Sequence, residues 1–125
     1  MTIITDDKEL NKCFEIAENL GWNVTNSFKG EYIFSRLSPE DQDFSVIVEA
    51  NNANDLIQGL ENFCDGFDPS YETYLWLDNT GHGKNGAPYD MKDIYEDMEA
   101  CLKMVEDLID VLKRQMWNKE ATNNE

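Results

Sequence analysis

Residues 22–49, WNVTNSFKGEYIFSRLSPEDQDFSVIVE, hold three short runs rich in β-branched and aromatic side chains: Trp22 to Asn26, Glu31 to Leu37 and Asp43 to Glu49. Lys29-Gly30 separates the first two, and Ser38-Pro39-Glu40-Asp41 the last two, with Pro39 presetting the turn dihedral. This spacing predicts a three-stranded antiparallel meander. In the third run Phe44, Val46 and Val48 alternate with Ser45, Ile47 and Glu49, so one face of the sheet needs helices to bury it.

Helical patterns flank the meander on both sides. From Asp6 to Leu20 the apolar residues Leu10, Cys13, Phe14, Ala17 and Leu20 recur at helical spacing, and Gly21 is placed to end the helix. Beyond Asn51-Asn52, which can cap a helix, Leu56, Ile57, Leu60, Phe63 and Cys64 form a second stripe that stops at Gly66. Asp68-Pro69 reads as an N-cap followed by proline at the first helical position, opening a short helix that carries Tyr71, Tyr74, Leu75 and Trp76. A glycine-rich loop runs from Thr80 to Pro88. The last helix begins at its cap Asp90 and carries Met91, Ile94, Met98, Cys101, Val105, Leu108 and Leu112 at steps of three and four, with Tyr95, Leu102, Ile109 and Met116 widening the stripe. Acids in its first turn (Asp90, Asp93, Glu96, Asp97) and Lys113 and Arg114 near its end suit the helix dipole. The expected fold is α+β in the order α-β-β-β-α-α-α: a three-stranded antiparallel sheet packed by about four helices, the last of them long. Residues 1–117 are expected to form one domain, and 118–125 a polar C-terminal tail. The broad stripe of the last helix suits a core helix laid over the sheet, or the seam of a homodimer.

Charge narrows the function classes. The chain has 125 residues and a net charge of −16, and the 47 residues from Leu37 to Gly83 contain ten acids and no lysine or arginine. Such a field repels nucleic acid and anionic membranes and attracts basic surfaces. Direct nucleic-acid or membrane binding is therefore not expected. The three cysteines, Cys13, Cys64 and Cys101, are widely spaced with no Cys-x-x-Cys pair, and read as reduced core thiols rather than zinc ligands or a disulfide. The opening MTIITDDKEL lacks the basic start and apolar stretch of a signal peptide, which makes the cytoplasm the expected location.

No motif anchors catalysis. Gly81-His82-Gly83-Lys84-Asn85-Gly86 matches Gly-x-Gly-x-x-Gly, but it follows a short helix rather than a strand, and the next helix opens only beyond Pro88. It reads as a mobile connection or a contact surface. His82, the one histidine, has no neighbouring partner set for a metal or a nucleophile. No catalytic residue, cofactor or metal is expected. The acids are the better candidates. Asp55, Glu61, Asp65, Asp68, Glu72 and Asp78 should lie on the outer surfaces of helices two and three, and Glu96 and Glu99 outside the stripe of helix four. Carboxylates in such an array can imitate phosphates and occupy a basic groove built for a nucleic acid, although solubility alone also favours an acidic surface.

Gly66-Phe67-Asp68-Pro69, then Tyr74-Leu75-Trp76-Leu77, the glycine-rich loop, Ala87-Pro88 and the acidic last helix give residues 66 to 112 a resemblance in order and composition to small acidic proteins of bacterial phages and mobile elements. The resemblance implies an inhibitor of host defence, of the antirestriction or anti-CRISPR kind. The expected function is thus non-enzymatic: an acidic, nucleic-acid-mimicking surface presented to a basic, nucleic-acid-binding protein. An immunity or antitoxin protein that neutralises a basic toxin would use the same electrostatics. A small hydrolase built on His82, and an adaptor relying on Tyr71, Tyr74, Trp76 and Trp117, are the remaining alternatives.

Overall fold

The computed structural model describes residues 5–123, with side chains through Met116. It has the α+β architecture expected: α1 (Lys8–Asn19), β1 (Asn23–Phe28), β2 (Glu31–Leu37), β3 (Asp43–Glu49), α2 (Ala53–Gly66), α3 (Pro69–Leu75) and α4 (Met91–Asn123). The strands pair antiparallel in the order β1-β2-β3. β2 and β3 occupy the two ranges read from the sequence, whereas β1 starts and ends later, at Phe28. Its register shifts between Asn26 and Phe28. There the Asn26 amide donates to the carbonyls of Phe28 at 2.6 Å and Glu31 at 2.8 Å, satisfying backbone groups that the irregular ladder leaves over.

The helix starts follow their caps. Asp7 accepts from the Leu10 amide at the head of α1, Asn52 from Asp55 at the head of α2, and Asp68 from Ser70 at the head of α3, with Pro69 in the first turn. α3 is shorter than its apolar content suggests: it ends at Leu75, and Trp76 is the C-cap. Thr73 is its buried residue, while Tyr71, Tyr74 and Leu75 are exposed. The Thr73 hydroxyl meets the need for a partner inside by donating to the Pro69 carbonyl at 2.7 Å.

The inner face of the sheet buries Val24, Tyr32, Phe34, Val46 and Val48 against α1 and α2, and α4 packs on those two helices to complete the same core. Phe14 of α1 lies 4.7 Å from the Tyr32 ring and 6.2 Å from the Phe34 ring, centroid to centroid, in tilted arrangements that aromatic pairs favour. The alternation expected in β3 holds, with Phe44 half-buried at its start and Ser45, Ile47 and Glu49 turned out. On α4, Ile94, Met98, Cys101, Val105, Leu108, Ile109 and Leu112 are buried in this chain's own core, so the stripe is a core stripe; Met91 is exposed. α4 continues to Asn123, through most of the segment set apart as a polar tail. The side chains of Trp117 and the tail lie outside the described residues. The core divides into a main cluster under the sheet and a smaller one of Ile94, Met98 and Cys101, with Phe44 and Met104 touching both.

Cys13 and Cys101 are buried and Cys64 half-buried, and all three are free thiols. Burial pushes Cys13 up from its ordinary 9.0 to about 12, reinforced by the carboxylates of Glu9 and Asp7. Cys101 also rises to about 12, through burial first and then Asp97. The unfolded chain releases these protons near pH 9 and the folded chain does not. Their contribution to stability is therefore intact below about pH 9 and is lost as pH rises toward 12, by up to about 1.4 kcal/mol per pH unit for each thiol. Urea titrations at pH 8 and pH 10.5 should show this decline, with a shallower slope for Cys13→Ala; an unchanged slope would contradict it.

Candidate functional site: acidic helices and an aromatic cleft

The eight acids singled out in the sequence divide into two groups. Four hold the fold. Asp68 caps α3. Asp55 accepts from the Asn51 amide at 3.2 Å at the start of α2. Glu61 is in an ion pair with Lys113 of α4 at 2.6 Å, both side chains partly exposed. Asp78 organises the glycine loop: one carboxylate oxygen accepts from the Thr80 amide at 2.8 Å, the Thr80 hydroxyl at 2.6 Å and the His82 amide at 3.2 Å. Hydrogen bonds from Thr80, side chain first, hold its carboxyl below the ordinary value. The other four are Asp65, Glu72, Glu96 and Glu99. Asp65, Glu96 and Glu99 are exposed, Glu72 is half-buried, and none of the four makes a hydrogen bond or ion pair among the described residues.

The segment read as a mobile connection or contact surface has an internal hydrogen-bonded frame. Leu77 and Gly83 form an isolated antiparallel bridge. Asp78 donates its amide to the His82 carbonyl at 2.8 Å, Gly83 to Tyr89 at 3.0 Å and Lys84 to Trp76 at 3.0 Å. The His82 ring stacks on Tyr89 with centroids 4.1 Å apart and planes 16° from parallel. Because the Asp78 carboxylate can only accept, the Thr80 hydroxyl donates to it, and the contact of 2.9 Å between Thr80 Oγ1 and His82 Nδ1 then requires the proton on Nδ1. Thr80 is thus turned toward Asp78 as a structural donor, an unsuitable arrangement for a nucleophile that must give its proton to histidine.

A buried polar chain fixes this loop to the sheet and to α4. Asp97, Ser38 and Gln42 are only 3%, 3% and 9% exposed. The Asp97 carboxylate accepts from the Ser38 hydroxyl at 2.6 Å and from the Glu40 amide at 3.0 Å. Ser38 Oγ in turn accepts from the Gln42 amide at 3.0 Å, and the Gln42 side chain donates to the Gly86 carbonyl at 2.7 Å. One carboxylate on α4 therefore sets the β2–β3 turn, and that turn sets the glycine loop.

Beside this chain lies a cleft of about 470 Å³ between the start of β3, α2, α3 and α4. Phe44, Phe63 and Phe67 line it with ring centroids 6.0, 6.1 and 5.3 Å apart, together with Trp76. Two carboxylates, Asp43 and Glu72, share the lining with these rings. No family model matches this sequence, and no curated protein and no solved structure matches it either. What the chain can do rests on its own residues.

Among the described residues no group of three or more histidine, cysteine, aspartate or glutamate side chains could hold a metal ion, and no helix is long and apolar enough to cross a membrane. Of the eight acids, the cleft includes only Glu72. Reading the sequence missed Asp43, whose neighbours in the cleft come from other elements, and it missed Asp97 as a buried residue. The signal for Asp97 was present: it lies three residues after Ile94 and four before Cys101, on the buried side of α4.

Proposed function

We propose that this protein works without chemistry, by presenting a carboxylate surface to the basic channel of a nucleic-acid-binding protein and so competing with the nucleic acid. The observation that carries the reading is the base-free acidic stretch from Leu37 to Gly83, which supplies α2 and α3 and whose Asp65 and Glu72 are in no ion pair among the described residues. Glu96 and Glu99 on α4 add exposed carboxylates of the same kind. A surface that carries its own acids but not their counter-ions is matched by a partner that brings them. A defence nuclease or another protein with a basic nucleic-acid groove fits that requirement, and the protein acts on it in the aqueous phase.

The test is displacement of labelled DNA from a panel of purified basic nucleases. A true target should lose its DNA to the protein at low salt, and direct binding of the protein to the nuclease, measured without DNA, should weaken at least tenfold between about 50 and 200 mM salt as the paired charges are screened. The triple variant Asp65→Lys/Glu96→Lys/Glu99→Lys should weaken inhibition about a hundredfold while leaving thermal stability unchanged, because these acids have no structural partners. Glu61 is a poorer choice for reversal, since Lys113 is in contact with it. Direct binding to the nuclease that is indifferent to both salt and charge reversal would rule the mechanism out.

A further inference from the structure

We propose that the cleft lined by Phe44, Phe63, Phe67 and Trp76, with Asp43 and Glu72 beside the rings, receives a single arginine side chain from a basic protein partner. This rests on the reading of the acidic surface as the face that meets such a partner, and names the pocket in which one partner residue is anchored.

The choice of occupant follows from what the cleft offers. Its walls are aromatic, with Phe44, Phe63 and Phe67 in mutual contact at 5.3 to 6.1 Å, and the buried Met98 and Cys101 contribute apolar lining. Asp43 is exposed, on the outward-facing side of β3 with Ser45, and Glu72 is half-buried on α3, so both acids stand at the mouth of the cleft rather than among its rings. Neither is in an ion pair among the described residues. The nearby Arg36 of β2, which pairs across the strands with Phe44, is engaged elsewhere, its guanidinium 5.4 Å over the Trp22 ring and donating to the Leu20 carbonyl at 3.0 Å. An apolar side chain would satisfy the rings and strip water from the carboxylates without replacing it. An anion is excluded by the charge. A lysine ammonium answers the carboxylates as a point charge but has no flat face to lay on a ring. Arginine does both: its planar guanidinium stacks on aromatic faces and pairs with carboxylates through a rigid fork, while its stem covers apolar wall. A volume of about 470 Å³ is enough for the side chain and part of its backbone.

The test uses the full chain and three blocked tripeptides, acetyl-Gly-Xaa-Gly-amide, in which Xaa is arginine, lysine or the uncharged isostere citrulline, followed by NMR. The arginine peptide should give saturable shifts at the rings of Phe44, Phe63, Phe67 and Trp76. The citrulline peptide should bind about tenfold more weakly or worse, and the lysine peptide should rank between them. Asp43→Asn and Glu72→Gln should each weaken the arginine peptide severalfold, the first without changing the melting temperature and the second with a small fall at most, since Glu72 sits in the first turn of α3. Shifts that fail to saturate, that spread over α2 and α4 outside the cleft, or that are the same for arginine and citrulline would overturn the proposal. The two readings can fail separately. Arginine seated in the cleft with no nuclease displaced from DNA retains the pocket and removes the competition. Displacement unaffected by Asp43→Asn/Glu72→Gln retains the competition and removes the pocket.

Discussion

Replacing Asp97 by alanine should destabilise the protein by about 3 kcal/mol, more than loss of any of the surface acids. The carboxylate is nearly fully buried and holds two donors from the far side of the chain, the Ser38 hydroxyl and the Glu40 amide. Alanine leaves the buried Ser38 hydroxyl without an acceptor and strips the part-buried Glu40 amide of its partner, and a stranded donor costs about 1–3 kcal/mol, the upper end applying to the buried one. Removing a buried carboxylate also removes its desolvation cost, which is why the expected loss is below the sum. Asp97→Asn keeps one carbonyl oxygen for one of the two donors and should cost about half as much. Urea denaturation gives the stability, and hydrogen exchange at the Glu40 and Gln42 amides reports the turn. Because Gln42 connects that turn to Gly86, faster exchange should extend into the glycine loop. A loss below about 0.5 kcal/mol for Asp97→Ala, the range of ordinary surface changes, would mean that the carboxylate does not hold the turn.

Asp97 also marks where the sequence stops being legible. The residue pattern placed β2 and β3 at their observed limits and gave α1, α2 and α4, because alternation and the three-to-four step record which side chains meet the core. α3, whose apolar residues are largely exposed, was legible from Asp68-Pro69 instead. Capping chemistry was readable in part: Asn52 and Asp68 act within four residues of themselves, as read. The α1 cap, however, is Asp7, which the pattern from Asp6 did not single out, and Asp90 takes part at the head of α4 through its carbonyl, which accepts from Asp93 and Ile94. The cleft was not readable in this way. Phe44, Phe63, Phe67 and Trp76 come from four places along the chain, and each looks like an ordinary core aromatic until β3, α2 and α3 bring them together. The acids misled for a related reason. Composition treats ten carboxylates as equivalent, yet Asp78 has its lone pairs committed to Thr80 and His82, Glu61 has Lys113, and Asp43 and Glu72 are in no ion pair among the described residues. Electrostatic potential depends on that pairing, which only the fold determines.

Gly83→Ala should cost about 2–4 kcal/mol and open the glycine loop, whereas Gly81→Ala should cost about 1–2 kcal/mol. The two glycines are needed for different reasons. Gly81 has a φ of 82° and open space around the position of a Cβ, so alanine there suffers only the strain of a left-handed backbone. Gly83 is not in that region, and its constraint is space: a Cβ would lie 1.9 Å from the Pro88 carbonyl oxygen and 2.9 Å from its carbon. The obstructing atoms are backbone, so no rotamer change relieves the overlap. The Pro88 segment must move away, and with it go the Gly83 to Tyr89 hydrogen bond and the His82–Tyr89 stack. Trp76 would feel the change through the Lys84 amide that donates to its carbonyl, so loop opening should reach the wall of the aromatic cleft. Equilibrium unfolding measures the cost, and ring shifts of Tyr89 and Trp76 follow the opening. If Gly83→Ala behaved like Gly81→Ala in both measurements, Gly83 and Pro88 would not be in contact, and the loop would lack the frame that couples it to the cleft. A larger effect at Gly83, together with a weaker arginine peptide, would join the loop, the cleft wall and the proposed anchor in one mechanical unit.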